Sequence, residues 1–372
     1  MSLRSFAGLG LFFCLLSAFS FVSPALANND QQLPQVSAQS VILLDITNGQ
    51  ILHGKRHRQP RPMASTTKIM TAVVALAGAD VKGKVTVSPQ AAAVGESSMH
   101  LEPGEELNLE QLLYGALLRS GNDACVAIAE HVAGTEGTFV QLMNEKAVLL
   151  GAEATSFSNT NGLPAADHYT TALDLALFTR YALNDPAFCR IVKTRARVVE
   201  SPSGISHYLQ NTNKLLWRYP GADGVKTGTT EAAGKCLVAS ATKGDRRLVA
   251  VILNGSDRFE DAGRLLDYGF NTFKVVPVVY SGAIYDRVKV TGGVSNSVPV
   301  RTAGDIIVNM RVDETDRLEK KVTLYRNINA PVVEGQTLGK IVVLLNGAEI
   351  SATDIVAACT IDKRSLLHKA CK

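Results

Sequence analysis

Residues 62–71 of the chain read PMASTTKIMT, and this stretch places Ser65 and Lys68 in a Ser-x-x-Lys pattern. The residues from Ala64 to Leu76 are rich in alanine and other helix formers, which predicts a buried helix that begins near Ser65. Side chains three residues apart share one face of a helix, so the Lys68 amine can reach the Ser65 hydroxyl. A serine is a poor nucleophile until a base removes its proton, and the spacing therefore predicts a Ser65 nucleophile with Lys68 as its base.

Ser-x-x-Lys alone is weak evidence, because Ser65 also suits an ordinary helix N-cap and Lys68 a solvated helix lysine. The pattern even recurs at Ser240–Lys243, where the strand-like context indicates a chance match. Two further motifs, each present once, follow the first in order along the chain. They are Ser120-Gly121-Asn122, in a loop between predicted helices at 107–118 and 124–132, and Lys226-Thr227-Gly228, before a predicted hairpin.

The second and third motifs complete a plausible acyl-transfer site. A helix N-terminus and the nearby Lys226 cation are expected to favour the neutral, basic form of Lys68. Ser120 can relay a proton to a leaving group and Asn122 can hold a substrate amide, although both also suit a loop that caps two helices. Lys226 offers a fixed positive charge to a substrate carboxylate.

The other two residues of the third motif are also expected to contact substrate, along the edge of a strand. Thr227 offers a hydroxyl to the same carboxylate, and Gly228 leaves room for a ligand backbone to lie against the strand edge. The substrate would then bind by β-strand addition.

Composition and the first residues indicate an exported globular protein. The 372 residues are 46% hydrophobic and 19% charged with a net charge of +4, which excludes a disordered tail and a coiled coil and predicts two domains. Arg4, the apolar run 6–22 and Ala25-Leu26-Ala27 predict a signal peptide at residues 1–27, against the alternative of an uncleaved anchor. The expected location is the periplasm or the outer face of the cytoplasmic membrane.

Cofactors and nucleic acid are not expected. The seven histidines form no His-Glu-x-x-His and no Cys/His cluster, so the sequence predicts neither a metal nor another cofactor. Export and the lack of a basic, aromatic-interleaved stripe argue against nucleic acid. The basic run at 55–58 is interpreted as a solvated loop, with contact to an anionic polymer or membrane as the alternative. The scattered cysteines are not a disulfide framework, although one pair could form.

The pattern of apolar runs predicts a mixed α/β unit followed by a β unit. Asn48-Gly49 and Lys243–Arg246 each separate two β-rich runs and predict hairpins. From Val275 to Ile350 short β runs alternate with Gly, Pro and Asn, and no long helical period occurs. The predicted divisions are a catalytic domain at 34–276, a β-rich domain at 277–358 and a tail at 359–372.

The three motifs resemble those of the penicillin-binding protein and serine β-lactamase superfamily. Longer segments are similar to the low-molecular-mass D-alanyl-D-alanine carboxypeptidases, and the similarity extends from about 41 to 350. These segments are residues 62–71, Leu118–Ala124 (LRSGNDA), Asn159–Leu163 (NTNGL) and Asp223–Thr230 (DGVKTGTT). Asn161 stands where histidine is common in the family. The resemblance implies an α/β (α+β) catalytic domain, an antiparallel sheet with helices on both sides, followed by a small all-β domain.

The resemblance also implies a role for each site residue. Ser65 would be acylated with Lys68 as base, Ser120 and Asn122 would serve proton transfer and substrate orientation, and Lys226 and Thr227 would take the terminal carboxylate. The backbone N–H groups of Ser65 and Thr229 would form the oxyanion hole. Arg258 is a candidate second carboxylate anchor, with a surface loop arginine as the equal alternative. Cys125 is interpreted as a buried small hydrophobe rather than a thiol sensor.

The implied activity is removal of the last D-alanine from peptidoglycan pentapeptides, with β-lactams as inhibitors that acylate the same serine. A class A β-lactamase would need a deacylating glutamate, and the corresponding loop offers only Glu153 without the expected context. A D,D-endopeptidase and a non-catalytic wall-binding or penicillin-sensing protein remain alternatives. The tail is a candidate for weak peripheral contact with the cytoplasmic membrane, through Ile361, Leu366, Leu367, Ala370, Lys369 and Lys372.

Overall fold

The computed structural model describes residues 33–312 and 317–364, so the predicted signal peptide lies outside the described residues. The helices in this part are α1 Lys68–Gly78, α2 Pro89–Ala92, α3 Leu109–Tyr114, α4 Asn122–Ala133, α5 Glu136–Leu149, α6 Ala172–Ala182, α7 Pro186–Lys193, α8 Leu215–Arg218 and α9 Arg258–Thr272. A 3₁₀ turn, Ala64–Thr67, precedes α1, and a π turn, Gly115–Arg119, follows α3.

Seventeen strands complete the described part. They are β1 Ser40–Asp45, β2 Ile51–Lys55, β3 Lys84–Thr86, β4 Glu106–Asn108, β5 Ala196–Glu200, β6 Ser206–Gln210, β7 Ala222–Thr230, β8 Gly234–Lys243, β9 Arg246–Leu253, β10 Phe273–Val279, β11 Ile284–Thr291, β12 Ser297–Thr302, β13 Ile306–Arg311, β14 Leu318–Leu324, β15 Ile328–Asn329, β16 Thr337–Leu345 and β17 Ala348–Ala357.

A five-stranded antiparallel sheet in the order β2-β1-β9-β8-β7 lies at the centre of the first part of the chain. Successive side chains of a strand point to opposite faces, so alternate residues enter different cores. In β9, Val249 and Val251 pack on one face, whereas Leu248 and Ala250 pack on the other. The nearly continuous apolar run of β9 therefore reflects burial on both faces.

Helices cover both faces of this sheet, as predicted. Helix α9 begins with the side chain of Asp257 accepting from the N–H groups of Phe259 and Glu260, and it buries Leu265 and Leu266 against one face. Helices α1 and α6 belong to the core on the opposite face, with the α4–α5 pair behind them. The predicted catalytic fold class is confirmed.

The two predicted hairpins are both present. Gly49 lies between β1 and β2 with φ 77°, and Gly244 lies between β8 and β9 with φ 59°. Glycine carries no Cβ, so it adopts these left-handed conformations without steric cost. These turns set the register of two strand pairs in the central sheet, β1 with β2 and β8 with β9.

From Phe273 onward the described residues form strands around a separate apolar core. A six-stranded sheet has the order β14-β16-β17-β12-β11-β15, and β10 pairs with β13. Ile361 is 7% exposed within this core, and it exchanges backbone hydrogen bonds with Val332. The expectation that Ile361 belongs to a membrane-facing surface is therefore wrong, because its side chain fills the β core. Residues 365–372 lie outside the described residues.

Polar side chains join the first hairpin to β13. The Gln50 amide donates to the carbonyl of Asn309 at 2.7 Å and accepts from its N–H at 2.7 Å. The Asn48 amide donates to the carbonyl of Ile307 at 2.9 Å. In the described ranges, no helix is both long and apolar enough to span a membrane.

Candidate active site

Ser65 lies on the 3₁₀ turn that leads into α1, beside the edge of the central sheet. The α-helix begins at Lys68, three residues later than the predicted start, and the 3₁₀ turn holds Ser65 and Lys68 on one side. Met63 occupies the N-cap position of the turn, without a side-chain cap hydrogen bond. Ser65 is partly exposed and does not cap a helix, so its hydroxyl is available for chemistry.

Lys68 is fully buried and is held by three oxygen acceptors. Its Nζ donates to Ser65 Oγ at 3.1 Å, to Asn122 Oδ1 at 2.8 Å and to the carbonyl of Asn161 at 2.6 Å. Burial lowers the pKa of the Lys68 amine, although acidic groups such as Asp123 act in the opposite direction. A lowered pKa was predicted from the helix terminus and Lys226, but desolvation is the main cause.

The Ser-x-Asn segment is shaped by the end of the π turn. Ser120 adopts the left-handed conformation, with φ 70°, and Gly121 is the N-cap of α4. Asn122 is the first residue of that helix, and its side-chain amide also donates to the carbonyl of Gly95 at 2.9 Å. Among the described residues, the Ser120 hydroxyl makes no hydrogen bond to Lys68, so the contact between motifs runs through Asn122.

Asp123, which sequence reasoning did not single out, holds the loop in front of α4. Its carboxylate accepts from the N–H groups of Met99 and Leu101, and from the hydroxyl of Ser98 at 2.6 Å. The side chain is fully buried. An acidic residue in the first turn of a helix is a usual signal for capping, but its partners lie more than twenty residues away and leave no local pattern.

Lys226 and Thr227 lie on β7, which is the edge strand of the sheet. Lys226 Nζ donates to the carbonyl of Thr227 at 2.9 Å, and the Thr227 hydroxyl shares a 2.6 Å hydrogen bond with that of Thr212. Burial, followed by the positive charge of Lys68, holds the pKa of Lys226 well below its ordinary value. The fixed positive charge that was predicted for Lys226 is thus disfavoured by its surroundings.

Two glycines allow other segments to approach the backbone of Ser65. A Cβ on Gly228 would lie 2.9 Å from Ser65 N, and one on Gly162 would lie 2.8 Å from the same atom and closer still to Ala64. Gly228 was predicted to leave room for a ligand. In the structure, the absence of its Cβ allows β7 to pack against the 3₁₀ turn that carries Ser65. Thr229 follows it on the exposed side of the strand.

The segment around Asn161 provides one of the hydrogen-bond acceptors of Lys68. Lys68 donates to the backbone carbonyl of Asn161, whereas the Asn161 side chain accepts from the N–H of Leu163 at 3.0 Å. A backbone contact does not depend on the side chain, which explains why asparagine is compatible here in place of the family's histidine. Glu136 fixes the preceding residue by accepting from the N–H and the hydroxyl of Thr160.

His168 is a buried residue of the site that sequence reasoning missed. Its Nδ1 accepts from the N–H of Ser158 at 3.0 Å, so the proton resides on Nε2, which donates to Thr67 Oγ1 at 2.8 Å. Burial and the nearby Lys68 lower the pKa of His168 to about 4. The neutral ring therefore anchors the turn that carries Ser65.

Arg258 and the remaining candidates occupy different environments. Arg258 is the first residue of α9, not a loop residue, and its guanidinium donates to the carbonyl of Gly228 at 2.7 Å and to Thr229 Oγ1 at 2.8 Å. Cys125 is fully buried, and burial raises the pKa of its thiol to about 11. Glu153 is exposed and pairs with Arg58 at 3.0 Å, away from the serine.

The other sequence features have simple structural explanations. Ser240 is buried in β8 and donates to Asp223 at 2.6 Å, which confirms that the second Ser-x-x-Lys is a chance match. The four cysteines in the described ranges are unpaired. No three His, Cys, Asp or Glu side chains of the described residues are grouped as a metal site.

Comparisons with known proteins match both parts of the chain. A family model described as D-alanyl-D-alanine carboxypeptidase matches residues 27–257. A second model, described as penicillin-binding protein 5, C-terminal domain, matches residues 273–363. The two matches together include all three motifs and the β strands that follow.

Named relatives and a solved structure agree with these matches. The chain is 35% identical to D-alanyl-D-alanine carboxypeptidase DacF of Bacillus subtilis, over 86% of this chain and 85% of that protein. It is 33% identical to DacC of Escherichia coli, over 95% of this chain and 90% of that protein. The crystal structure of penicillin binding protein 5 from Haemophilus influenzae is similar with a TM-score of 0.80 and 29% identity, covering 89% of this chain and 99% of that one.

Proposed function

The chain belongs to the D-alanyl-D-alanine carboxypeptidase family of serine peptidases, and we propose that it removes the terminal D-alanine from peptidoglycan pentapeptide stems through an acyl-enzyme on Ser65. The observation that carries this proposal is the 3.1 Å hydrogen bond between Ser65 Oγ and the fully buried Lys68 amine. A buried lysine with a lowered pKa is a base that can take the serine proton.

Acylation begins when Lys68 removes the proton from Ser65 Oγ, which attacks the carbonyl carbon of the penultimate D-alanine. The N–H groups of Ser65 and Thr229 would stabilise the negative charge on the carbonyl oxygen, and the close packing of β7 on the serine turn supports this assignment. Collapse of the tetrahedral intermediate breaks the C–N bond to the terminal D-alanine. Ser120 relays the proton that Lys68 took from Ser65 to the departing amine nitrogen, which returns Lys68 to its neutral form. Water then hydrolyses the Ser65 ester with Lys68 as base.

Substrate orientation falls to the edge strand and Asn122. The stem peptide adds to β7 as a further strand, and the Asn122 amide contacts a backbone group of the acyl part. The terminal carboxylate meets Lys226 and Thr227, and its negative charge favours the protonated form of Lys226 that burial disfavours in the free enzyme. Arg258, which contacts Thr229, supports the same strand and is a further carboxylate anchor.

β-Lactams acylate the same serine in this proposal and act as inhibitors.

The catalytic part spans 34–276 and the β-rich part 277–358, with a tail at 359–372 that contacts the cytoplasmic membrane weakly at most, since Ile361 belongs to the β core. The protein is exported and works in the periplasm or on the outer face of the cytoplasmic membrane.

A fluorescent penicillin tests the acyl-enzyme. We expect covalent labelling of the wild type and no labelling of Ser65→Ala, because the ester forms on that hydroxyl. Ser240→Ala is the matched control, since Ser240 belongs to the other Ser-x-x-Lys segment but is buried in β8, and it should label like the wild type. Equal labelling of Ser65→Ala and wild type would exclude Ser65 as the nucleophile.

The reaction itself is tested by product analysis. Free D-alanine released from a purified pentapeptide demonstrates carboxypeptidase activity, whereas monomers released from a cross-linked dimer demonstrate endopeptidase activity. We expect the first reaction to dominate. Faster turnover of the dimer would replace the proposed activity by that of an endopeptidase.

A further inference from the structure

A cleft of about 580 Å³ lies next to the proposed catalytic residues. Its lining includes Arg119 and Thr212, together with Tyr208, Lys214, Trp217 and Arg218. A volume of this size can accommodate a short peptide fragment or another small ligand. None of the residues that line the cleft belongs to the three motifs.

Two of the lining residues, Arg119 and Thr212, connect the cleft to the leaving-group side of the site. Thr212 is hydrogen-bonded at 2.6 Å to Thr227, the residue proposed to take the terminal carboxylate. Arg119 directly precedes Ser120, the residue proposed to protonate the departing amine. By contrast, Asn122, which faces the acyl part of the substrate, is not among the residues that line the cleft.

The charges of the cleft are unbalanced. Arg119, Lys214 and Arg218 are exposed cations, and within residues 33–312 and 317–364 none of them has an ion-pair partner. Elsewhere on the surface similar cations are paired, as Arg58 is with Glu153 and Arg190 with Glu110. No acidic side chain lines the cleft. Like charges gathered in a concave surface focus a positive potential that attracts anions.

Two aromatic side chains accompany these cations. Tyr208 is 66% exposed and Trp217 is 45% exposed, so both rings present part of their surface to the cleft. Arg195 supports the Trp217 ring from 5.9 Å and is itself bonded to the carbonyl of Leu216. Aromatic rings and cations that are held ready on a scaffold are typical of surfaces that bind peptides.

We propose that this cleft is a leaving-group subsite that binds a carboxylate on the part of the substrate that departs from the scissile bond. The proposal rests on the proposed function, because that function defines which side leaves. The carboxylate has two sources. It is either the side chain of an acidic C-terminal D-residue, or a carboxylate of the departing peptide in a cross-linked dimer, which is the peptide that contributes the amine to the scissile bond. In either case it is additional to the terminal carboxylate at Lys226 and Thr227.

Matched peptides that end in D-alanyl-D-glutamate or D-alanyl-D-glutamine test the first source, since they differ only in the side-chain charge. The measured quantity is the ratio of their kcat/KM values, acidic over amide. Each exposed ion pair contributes modestly, so we expect the ratio to fall about three-fold in Lys214→Gln or Arg218→Gln and further in the double variant. Lys289→Gln, which removes an exposed cation from β11, is the control and should keep the wild-type ratio.

Cross-linked dimers test the second source. The carboxylates of the departing peptide are either free or amidated, and the measured quantity is again the ratio of the two kcat/KM values. A charge-dependent ratio for the dimers alone assigns the cleft to a cross-linked partner, and one for the short peptides alone assigns it to the C-terminal residue. Raising the salt concentration should reduce either ratio. Ratios that are identical in wild type and double variant for both substrate pairs would overturn the subsite. Turnover of a peptide ending in D-alanyl-D-alanine checks the proposed function separately, since its absence would indicate failure of that function instead.

Discussion

Three titratable side chains around Ser65, those of Lys68, His168 and Lys226, are buried, and burial lowers the pKa of each. Burial disfavours the charged form of an amine or an imidazole because the protein interior solvates charge less well than water does. Burial therefore favours the neutral form of Lys68, which is the form that the proposed base must have. In its neutral form the Lys68 amine has two N–H groups, which Asn122 Oδ1 and the Asn161 carbonyl can accept, and its lone pair is left for the Ser65 hydroxyl 3.1 Å away.

Replacing His168 should change how stability depends on pH. The pKa of His168 is about 4 in the folded protein and about 6.5 in the unfolded chain, so between these values the unfolded state binds the extra proton. Above pH 6.5 His168 is neutral in both states and its titration does not affect the free energy of unfolding. As the pH falls toward 4, protonation of the unfolded chain lowers the free energy of unfolding by up to about 3 kcal/mol. We expect His168→Asn to show a flatter decline over this range.

Denaturant unfolding at pH 7.5 and at pH 4.5 measures this effect. His168→Asn also loses hydrogen bonds at both pH values, so the comparison uses the difference between the two unfolding free energies. His100→Asn, a substitution of an exposed histidine, is the control and should retain the wild-type difference. The same difference in His168→Asn would show that another group is responsible for the acid sensitivity.

At the scale of elements, the site depends on β7 packing against the 3₁₀ turn of Ser65. An edge strand has one free row of hydrogen-bonding groups, which is what strand addition by a substrate requires. The approach is close because Gly228 and Gly162 carry no Cβ at the positions nearest the serine backbone. Helix starts then bring the other groups to the same place, Lys68 from α1 and Asn122 from α4.

Gly228→Ala should damage acylation more than folding. The added Cβ would lie 2.9 Å from Ser65 N and 3.1 Å from the carbonyl of Met63, both backbone atoms that cannot rotate away. The strand must shift by several tenths of an ångström, which disturbs the proposed oxyanion groups. We expect penicillin acylation to slow by about 100-fold, the usual cost of losing one oxyanion donor.

The second-order rate constant of penicillin labelling measures this change. Gly263→Ala in α9 is the matched control, because the nearest atom to its Cβ would be 3.9 Å away. It should acylate at the wild-type rate and gain up to about 1 kcal/mol of stability from helix propensity. Wild-type acylation by Gly228→Ala would contradict the importance of this close approach.

At the scale of the whole molecule, the first hairpin of the central sheet is joined to the β-rich part through Gln50 and Asn309. Their two reciprocal hydrogen bonds satisfy backbone groups of a residue that is 1% exposed. Asn309 Oδ1 is itself buried without a hydrogen bond in the described structure. Buried polar groups are costly to leave unpaired, so this junction favours a defined arrangement of β13 against the hairpin.

Gln50→Ala should destabilise the protein by about 1–3 kcal/mol, because two backbone groups of Asn309 lose their partner. Thermal unfolding would show a lower midpoint, whereas penicillin labelling at low temperature should keep its wild-type rate, since Gln50 contacts no residue of the site. Gln59→Ala, which removes an exposed glutamine amide, serves as control. An unchanged midpoint in Gln50→Ala would indicate that the junction contributes no stability.

Much of the site was predictable because its chemistry is encoded in short motifs. The i, i+3 spacing of Ser65 and Lys68, the two turn glycines Gly49 and Gly244, and the doubly apolar strand β9 all follow from local geometry. The same local rules predicted the start of α1 imprecisely, since the 3₁₀ turn forms where α1 meets β7. Propensity carries no information on that contact.

The reaction class, the order of the motifs and the division into helix-rich and β-rich parts are readable from the sequence, because each depends on residue type and on neighbours close along the chain. Four features required the folded chain: the burial that lowers the pKa of Lys68, the contacts of Asp123 and His168, the packing of Gly228 on the serine turn, and the place of Ile361 in a core. Each of these depends on groups that are far apart in the chain and meet only when it folds, and solvation, steric exclusion and hydrogen bonding all act between groups in space.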